Sequence, residues 1–514
     1  MEFSWNVGIW VLTAILAVIP IWALQILNSL WLRPKRLEML LRAQGLHGDP
    51  YTLSHHSSNH THMQHQEPFA LSNHVAPLLS SSLCHTLSKY GKNCFFWEGT
   101  TPKVIITDLE QIKDVFNNIH DFQKPKLSGN VKVLVKGLIS YEGEKWAKHR
   151  RIINPAFHLE KLKNMLPAFS QSCHDMISAW NEMLSSDGTG EIDVWPFLQN
   201  LSRDVISRTA FGSRYAEGTK IFELLKMLGY LSMKAQHKGI PILRHLPSSV
   251  NKKMKKIERE MCDSIEGIIK KREEIMKNGE IANDDLLSKL LESNHNEIQG
   301  RGNSRNAGMT KREVVEECKL FYLAGQETTS SLLVWTMVLL GRFPEWQARA
   351  REEVLQVFGN QNPNFHGLSR LKIVTMILYE ALRLYPPTIY FVRALQKDMN
   401  LGYLSLPAGV RVSIPILCIH QDRDIWGDDA KEFNPERFSE GIAKATKGKV
   451  SYFPFGWGPR VCVGQNFALL EAKMVLSLLL QNFSFVLSPS YTHAPTALLS
   501  FQPKHGAQII FHKL

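Results

Sequence analysis

The segment Phe453-Pro-Phe-Gly-Trp-Gly-Pro-Arg-Val-Cys-Val-Gly-Gln-Asn-Phe467 constrains this chain more tightly than any other stretch. Glycines at 456, 458 and 464 relax the backbone and permit a close approach to something flat. Cys462 stands just before a helix expected to begin near Asn466. A helix N-terminus and exposed backbone amides stabilise a thiolate. A thiolate on haem iron pushes electron density toward bound oxygen and favours O–O cleavage. Arg460, two residues earlier, places a cation near the carboxylates of such a cofactor. The rival is a buried structural cysteine in a glycine-rich loop. Four spaced positions around a cysteine that opens a helix speak against it.

The amino terminus bears on location. No charged residue occurs from Phe3 to Leu32, and about 20 apolar residues suffice to cross a bilayer. Arg33, Lys35 and Arg36 follow at once, and basic flanks stay cytoplasmic. The expectation is a single transmembrane anchor over 3–32, a linker and membrane-proximal segment over 33–68, and a catalytic domain over 69–514 facing the cytosol. A cleaved signal peptide fits less well, because no basic stretch precedes the apolar run. The sequon Asn59-His60-Thr61 should stay bare on the cytosolic side. The histidines at 55, 56, 60, 62 and 65 are expected in a solvated loop.

At 514 residues, 44% hydrophobic and 21% charged, the chain is globular rather than disordered. Its seven cysteines are scattered and never form CxxC, which argues against a disulfide framework or a structural zinc site and fits a reducing compartment. A net charge of +12 invites nucleic acid, anionic lipid or an acidic protein. No basic run interleaves with aromatics, so nucleic acid is set aside. A solvated surface and partner docking both remain open.

The predicted fold is mainly α with a minor β-sheet region. Cys94–Gly99 and Lys103–Asp108 suggest a hairpin across a Thr-Thr-Pro turn. Helical patterns then dominate to about residue 390, interrupted by polar patches at Ser185–Gly190 and Gln299–Gly308. Strand-like residues return around Val410–Ile416. Phe467, Leu470, Met474 and Leu478 recur at helical spacing over Asn466–Leu480 and should face a core.

Thr310-Lys-Arg-Glu313 is a capping box, and the helix it starts runs without proline to Gly341. Ala324-Gly-Gln-Glu-Thr-Thr329 lies in its middle. Glycine there costs about 1 kcal/mol relative to alanine. Thr328 can bond the carbonyl of Ala324 four residues back and bend the helix, which would open a notch for dioxygen. Glu327 beside it adds a carboxylate, so that acid and alcohol together could relay protons. Taken alone, a surface acid beside a helix threonine would be the better reading of the pair.

Phe455-x-x-Gly458-x-Arg460-x-Cys462-x-Gly464 resembles the haem-binding loop of the cytochrome P-450 superfamily. Gly456-Trp-Gly-Pro459, Gly464-Gln-Asn-Phe467, Tyr141-Glu-Gly-Glu-Lys-Trp-Ala-Lys-His-Arg150 and the 324–329 segment are similar to the plant group that includes secologanin synthase. The resemblance implies one large haem domain with heme b (iron protoporphyrin IX) held by Cys462 as axial thiolate. It implies that Glu327 and Thr328 handle protons and that Trp146, Arg150, Arg393 and Arg460 hold the haem propionates. It implies a buried Glu380–Arg383 pair joined by Arg437, serving folding rather than catalysis.

The implied partner is an NADPH-dependent flavoprotein reductase. It would dock on the basic face bearing Lys145, Lys148, Arg150 and Arg151, at the cytosolic side of the endoplasmic reticulum membrane. The implied reaction inserts one oxygen atom from dioxygen into a small lipophilic substrate. Regions around Phe122–Leu138, Thr388–Phe391 and Ala497–Phe501 match the family's substrate contacts and suit a bulky apolar guest, a terpenoid by the group resemblance. Oxidative ring cleavage of an iridoid glucoside stays open. So does a reductase-independent isomerase or dehydratase on the same fold, although such enzymes tend to lack the acid–alcohol pair.

Overall fold

The computed structural model describes residues 19–53, 81–127, 131–212, 215–236, 249–278, 285–300, 308–497 and 499–514. Most of the expected anchor, the sequon and the histidine-rich stretch lie outside them. Residues 19–27 are helical and pass through a π turn, Asn28–Leu32, into helix α1, Arg33–Arg42. Among the described residues no helix is long and apolar enough to cross a membrane. Ile21, Trp22, Leu24, Trp31 and Leu32 are nevertheless exposed along this run.

Pro34 sits in the first turn of α1 but continues the helical run before it, so its missing N–H interrupts the ladder where the π turn occurs. Glu38 pairs with Lys35 at 3.0 Å and Arg42 at 2.9 Å, and it accepts the Tyr51 amide at 3.2 Å. The Tyr51 hydroxyl donates to the Leu30 carbonyl at 2.6 Å. Leu37, Leu41, Leu46 and Tyr51 belong to the same buried cluster as the sheet.

The predicted hairpin forms as β1, Cys94–Glu98, and β2, Thr101–Ile105. Its turn is Gly99-Thr100 rather than Thr-Thr-Pro, with Glu98 facing Thr101. Gly99 takes φ +62, which two-residue hairpin loops favour. Helix α2, Leu109–Asn117, is capped by Asp108, which accepts from the Gln111 amide. Strand β3 is Phe122–Gln123. Helix α3, Gly143–Ile153, carries the WxxxR pattern, and α4 spans Leu166–Met183. The polar patch at 185–190 turns the chain into strand β4, Thr189–Asp193, ahead of α5, Val194–Phe211. Helices α6, Tyr215–Gln236, and α7, Ser249–Lys277, follow.

Helix α8, Lys311–Arg342, starts at the predicted capping box, with both Thr310 and Glu313 bonds formed. Its second half is buried on all sides: Leu333, Val334, Trp335, Met337 and Val338 have no exposed surface, as expected of a helix inside a core. Next come α9, Ile373–Leu384, then β5, Phe391–Leu395, and β6, Arg411–Ile414. Helix α10, Gln465–Asn482, buries Phe467, Leu470, Met474 and Leu478, the predicted face. Strands β7, Phe483–Leu487, β8, Pro495–Ala497, β9, Phe501–Pro503, and β10, Gln508–Lys513, complete the order.

The larger sheet runs β1-β2-β6-β5-β3, with β2 and β6 parallel and the other neighbours antiparallel. A second sheet, β4-β10-β7, joins the middle of the chain to its end. The helical core and the sheet core are separate clusters, so the architecture is mainly helical with small sheets.

Candidate active site

The loop before α10 is shaped by its glycines. Gly456 and Gly458 adopt φ +77 and +70, a region that side-chain-bearing residues avoid. A Cβ on Gly458 would also stand 3.1 Å from the Phe116 carbonyl. Gly464 needs no such freedom. It is the N-cap of α10 at φ −90, and a Cβ there would meet Phe157 at 3.8 Å and the Cys462 sulfur at 4.0 Å. The Cys462 amide donates to the Phe455 carbonyl at 2.8 Å.

Cys462 lies deep in the protein yet has exposed surface, so the thiol faces internal space. Burial raises its pKa, while the Gly464 amide, Arg150 and Lys124 pull the other way. The helix start therefore does not by itself make a thiolate. A bound metal cation would complete the deprotonation, since its binding releases the proton.

Around this loop gathers an excess of positive charge. Arg460 stacks over the Trp146 ring at 4.5 Å, donates to the Tyr141 carbonyl at 3.0 Å and pairs with Glu142. Arg150 donates to the Val461 carbonyl at 2.7 Å. Arg393 is buried and bonds the neighbouring Val392 carbonyl at 3.0 Å. The structure thus brings the four predicted residues together and adds Lys124, which sequence reasoning missed.

Burial, then the charges of Arg393 and Arg460, push Lys124 down to about 7. Burial, then Arg460, pushes Arg393 down to about 10. Glu142 is the acid that faces these groups, and Arg460 Nε is buried without a hydrogen-bond partner. Four cations beside one carboxylate form an under-neutralised cluster, and two further carboxylates on a flat ring would balance it. The residues fit a haem.

The notch expected for dioxygen would lie on α8. Thr328 Oγ1 donates to the Ala324 carbonyl at 2.7 Å, as the spacing predicts. Ala324 is exposed although it sits mid-helix in the protein interior. Gly325 serves packing: a Cβ there would stand 2.8 Å from Ile206 Cδ1 on α5. Phe157 ties the two halves of the site, with its ring 5.7 Å from Phe321 on α8 and 6.5 Å from Phe467 on α10.

Among the described residues, the Glu327 carboxyl bonds Ser500 rather than Thr328. Its Oε2 accepts from Ser500 Oγ at 3.3 Å. Burial raises its carboxyl above the ordinary range, while Ser500, Arg203, Gln326 and Lys226 oppose this. A buried acid held toward its neutral form is suited to donate a proton.

Two other expectations change in detail. Glu380 and Arg383 are fully buried and paired at 2.7 Å. Arg383 also donates to the carbonyls of His420, Ala430 and Glu432. Arg437 is peripheral: it stands 3.7 Å from Glu380 and pairs mainly with Asp429 at 2.7 Å. On α3, Lys145 pairs with Glu313 at 2.7 Å, Lys148 donates to the Gly308 carbonyl at 2.9 Å, and Arg151 pairs with Glu297 at 2.6 Å. The basic face is thus partly engaged within the protein. Burial alone would raise Glu313, but Lys145 and the Thr310 amide outweigh it and hold the acid at about 2.

The family model described as cytochrome P450 matches residues 74–510. An 11-oxo-beta-amyrin 30-oxidase from Glycyrrhiza uralensis is 69% identical, covering 99% of this chain and 98% of its own length. An 11-oxo-beta-amyrin 30-oxidase from Medicago truncatula is 66% identical, covering 98% of this chain and 97% of its own length. Among solved structures, a retinoic acid-bound cyanobacterial CYP120A1 aligns with TM-score 0.71 at 24% identity, over 84% of this chain and 93% of that one. That last likeness bears on the fold alone.

Proposed function

The chain belongs to the cytochrome P450 family and is a monooxygenase, and on that premise we propose that it oxidises a triterpenoid close to 11-oxo-β-amyrin. The observation that carries this reading is 66–69% identity, over essentially whole lengths, to two oxidases named for that compound. Exposure of Cys462 and Ala324 to internal space supports a site on these elements.

Each residue then has a task. Lys124, Arg150, Arg393 and Arg460 hold the two carboxylates of haem, and Trp146 fixes Arg460 by stacking on its guanidinium. Haem bound through the Cys462 thiolate would supply activation of dioxygen, with one oxygen atom going into a C–H bond and the other leaving as water at the expense of two electrons and two protons. Thr328, bonded to Ala324, holds the α8 notch open. Glu327 keeps a proton available beside it. Partly buried Val133, Val135 and Ile389 lie in the regions that would receive the hydrocarbon body of the substrate.

The same reading takes electrons from NADPH through a flavoprotein reductase at the α3 face. Lys145 remains 44% exposed despite its pairing with Glu313, so its charge still reaches solvent. It takes residues 3–32 as a membrane anchor, 33–68 as a membrane-proximal segment and 69–514 as the haem domain, on the cytosolic face of the endoplasmic reticulum. Exposed Trp22, Leu24 and Trp31 ahead of Arg33, Lys35 and Arg36 support that placement.

Microsomes holding this protein and a plant reductase, given NADPH and 11-oxo-β-amyrin, should form a product heavier by one oxygen atom. Conversion of an iridoid glucoside with no conversion of any triterpenoid would overturn the substrate assignment. Turnover that needs neither reductase nor dioxygen would overturn the monooxygenase mechanism in favour of an isomerase.

A further inference from the structure

Ser500 is a buried hydroxyl that the roles above leave unused. It is 3% exposed, and its Oγ lies 3.3 Å from Glu327 Oε2. The neighbouring residue fixes it from two directions. The Phe501 carbonyl accepts from Ser331 Oγ at 2.5 Å and Trp335 Nε1 at 2.7 Å, both on α8. The Phe501 amide donates to the Pro387 carbonyl at 3.0 Å, beyond the end of α9. Ser331 is one helical turn after Glu327, so the carbonyl clamp and the Ser500 hydroxyl meet successive turns of one helix.

Thr328 cannot take the same part in this arrangement, since its hydroxyl is committed to Ala324. Leu499, beside Ser500, is 44% exposed and close to Gly229 of α6. The segment therefore carries one side chain toward open space and, next to it, one toward the acid. The charged groups facing Glu327 are Arg203 of α5 and Lys226 of α6. Neither hydrogen-bonds it among the described residues; Ser500 does, and Gln326 next to it also favours the ionised carboxyl.

We propose that Ser500 is a positioning residue for Glu327, holding the carboxyl in the orientation from which it releases its proton and regains one from solvent. The inference rests on the monooxygenase reading. The Ser500 proton stays on its oxygen throughout, so no group is transferred and none is oxidised. Because the hydroxyl donates to the carboxylate, it favours the ionised form. Its loss should move the titration of Glu327 to higher pH.

The test uses the full-length, haem-loaded protein with Ser500→Ala, Ser500→Thr and Glu327→Gln. The infrared C=O band of the neutral acid, identified by its loss in Glu327→Gln, should shift in Ser500→Ala and return in Ser500→Thr. Peroxide released per oxygen consumed should rise about fivefold in Ser500→Ala, the equivalent of one ordinary hydrogen bond of about 1 kcal/mol. The limb of its pH profile that depends on Glu327 should move upward.

An unmoved C=O band and pH limb in Ser500→Ala overturn the proposal. So does equal disruption in the Thr variant, which keeps the hydroxyl and stays informative if the Ala variant fails to fold. Glu327→Gln that leaves peroxide release untouched would instead strike at the proton role of Glu327 itself.

Discussion

Two groups of buried arginines in this protein have opposite bookkeeping. Arg383 is saturated: Glu380 takes it through two bonds and three backbone carbonyls take the rest. Arg393 and Arg460 are left short, the first bonded only to its neighbour's carbonyl among the described residues, the second with a buried Nε lacking a partner. Burying a cation is tolerable only when its charge and donors are met. A saturated arginine therefore belongs to the scaffold. An under-satisfied cluster awaits an anion.

The comparison predicts different failures, and the largest comes from the scaffold. Arg383→Ala strands the Glu380 carboxylate and should cost about 3–5 kcal/mol of stability, read by denaturant unfolding. A small change there would mean that the pair is not the keystone its burial implies. Arg460→Ala should instead leave the fold nearly intact and weaken haem retention by about 1.5–3 kcal/mol, measured as haem transfer to an acceptor protein. If Arg460→Ala unfolds the protein but spares haem, the two groups have been assigned the wrong way round.

Glu471 sharpens the contrast from the acidic side. It is fully buried with Ser202 Oγ at 3.0 Å, and burial raises its carboxyl to about 8 despite that bond. A raised folded pKa gives stability that is complete below the unfolded value near 4.5 and is lost as pH rises through 8. Stability read from denaturant unfolding should accordingly fall across that window, and Glu471→Gln should remove the slope. The smallest effect belongs to Arg437. It sits outside the saturated pair and shares a partly exposed Asp429, so Arg437→Ala should cost about 1 kcal/mol. A loss equal to that of Arg383→Ala would restore it as a full third member.

Local patterns were legible wherever one residue type answered one local need. Thr310 and Glu313 announce a capping box because the bonds close within one turn. Cys462 with its glycines marks the loop, since Gly456 and Gly458 must take positive φ. Thr328 and Ala324 are fixed by helical spacing alone. Lys124 was not legible, because its only signal is proximity to arginines far along the chain. The reason for Gly325 was likewise hidden: it answers Ile206 of another helix.

From its order of residues alone, this chain determined the starts of α8 and α10, its thiol-bearing loop, its acid–alcohol pair and three of the four cations available to a flat dianion. Only the tertiary structure decided which of those cations stay unsatisfied, that Glu327 turns to Ser500, and that the basic face of α3 is partly spent on internal pairs. The physical reason is range. Backbone geometry and capping act within a few residues, whereas desolvation and charge balance depend on every group that packing brings near, however distant in the chain.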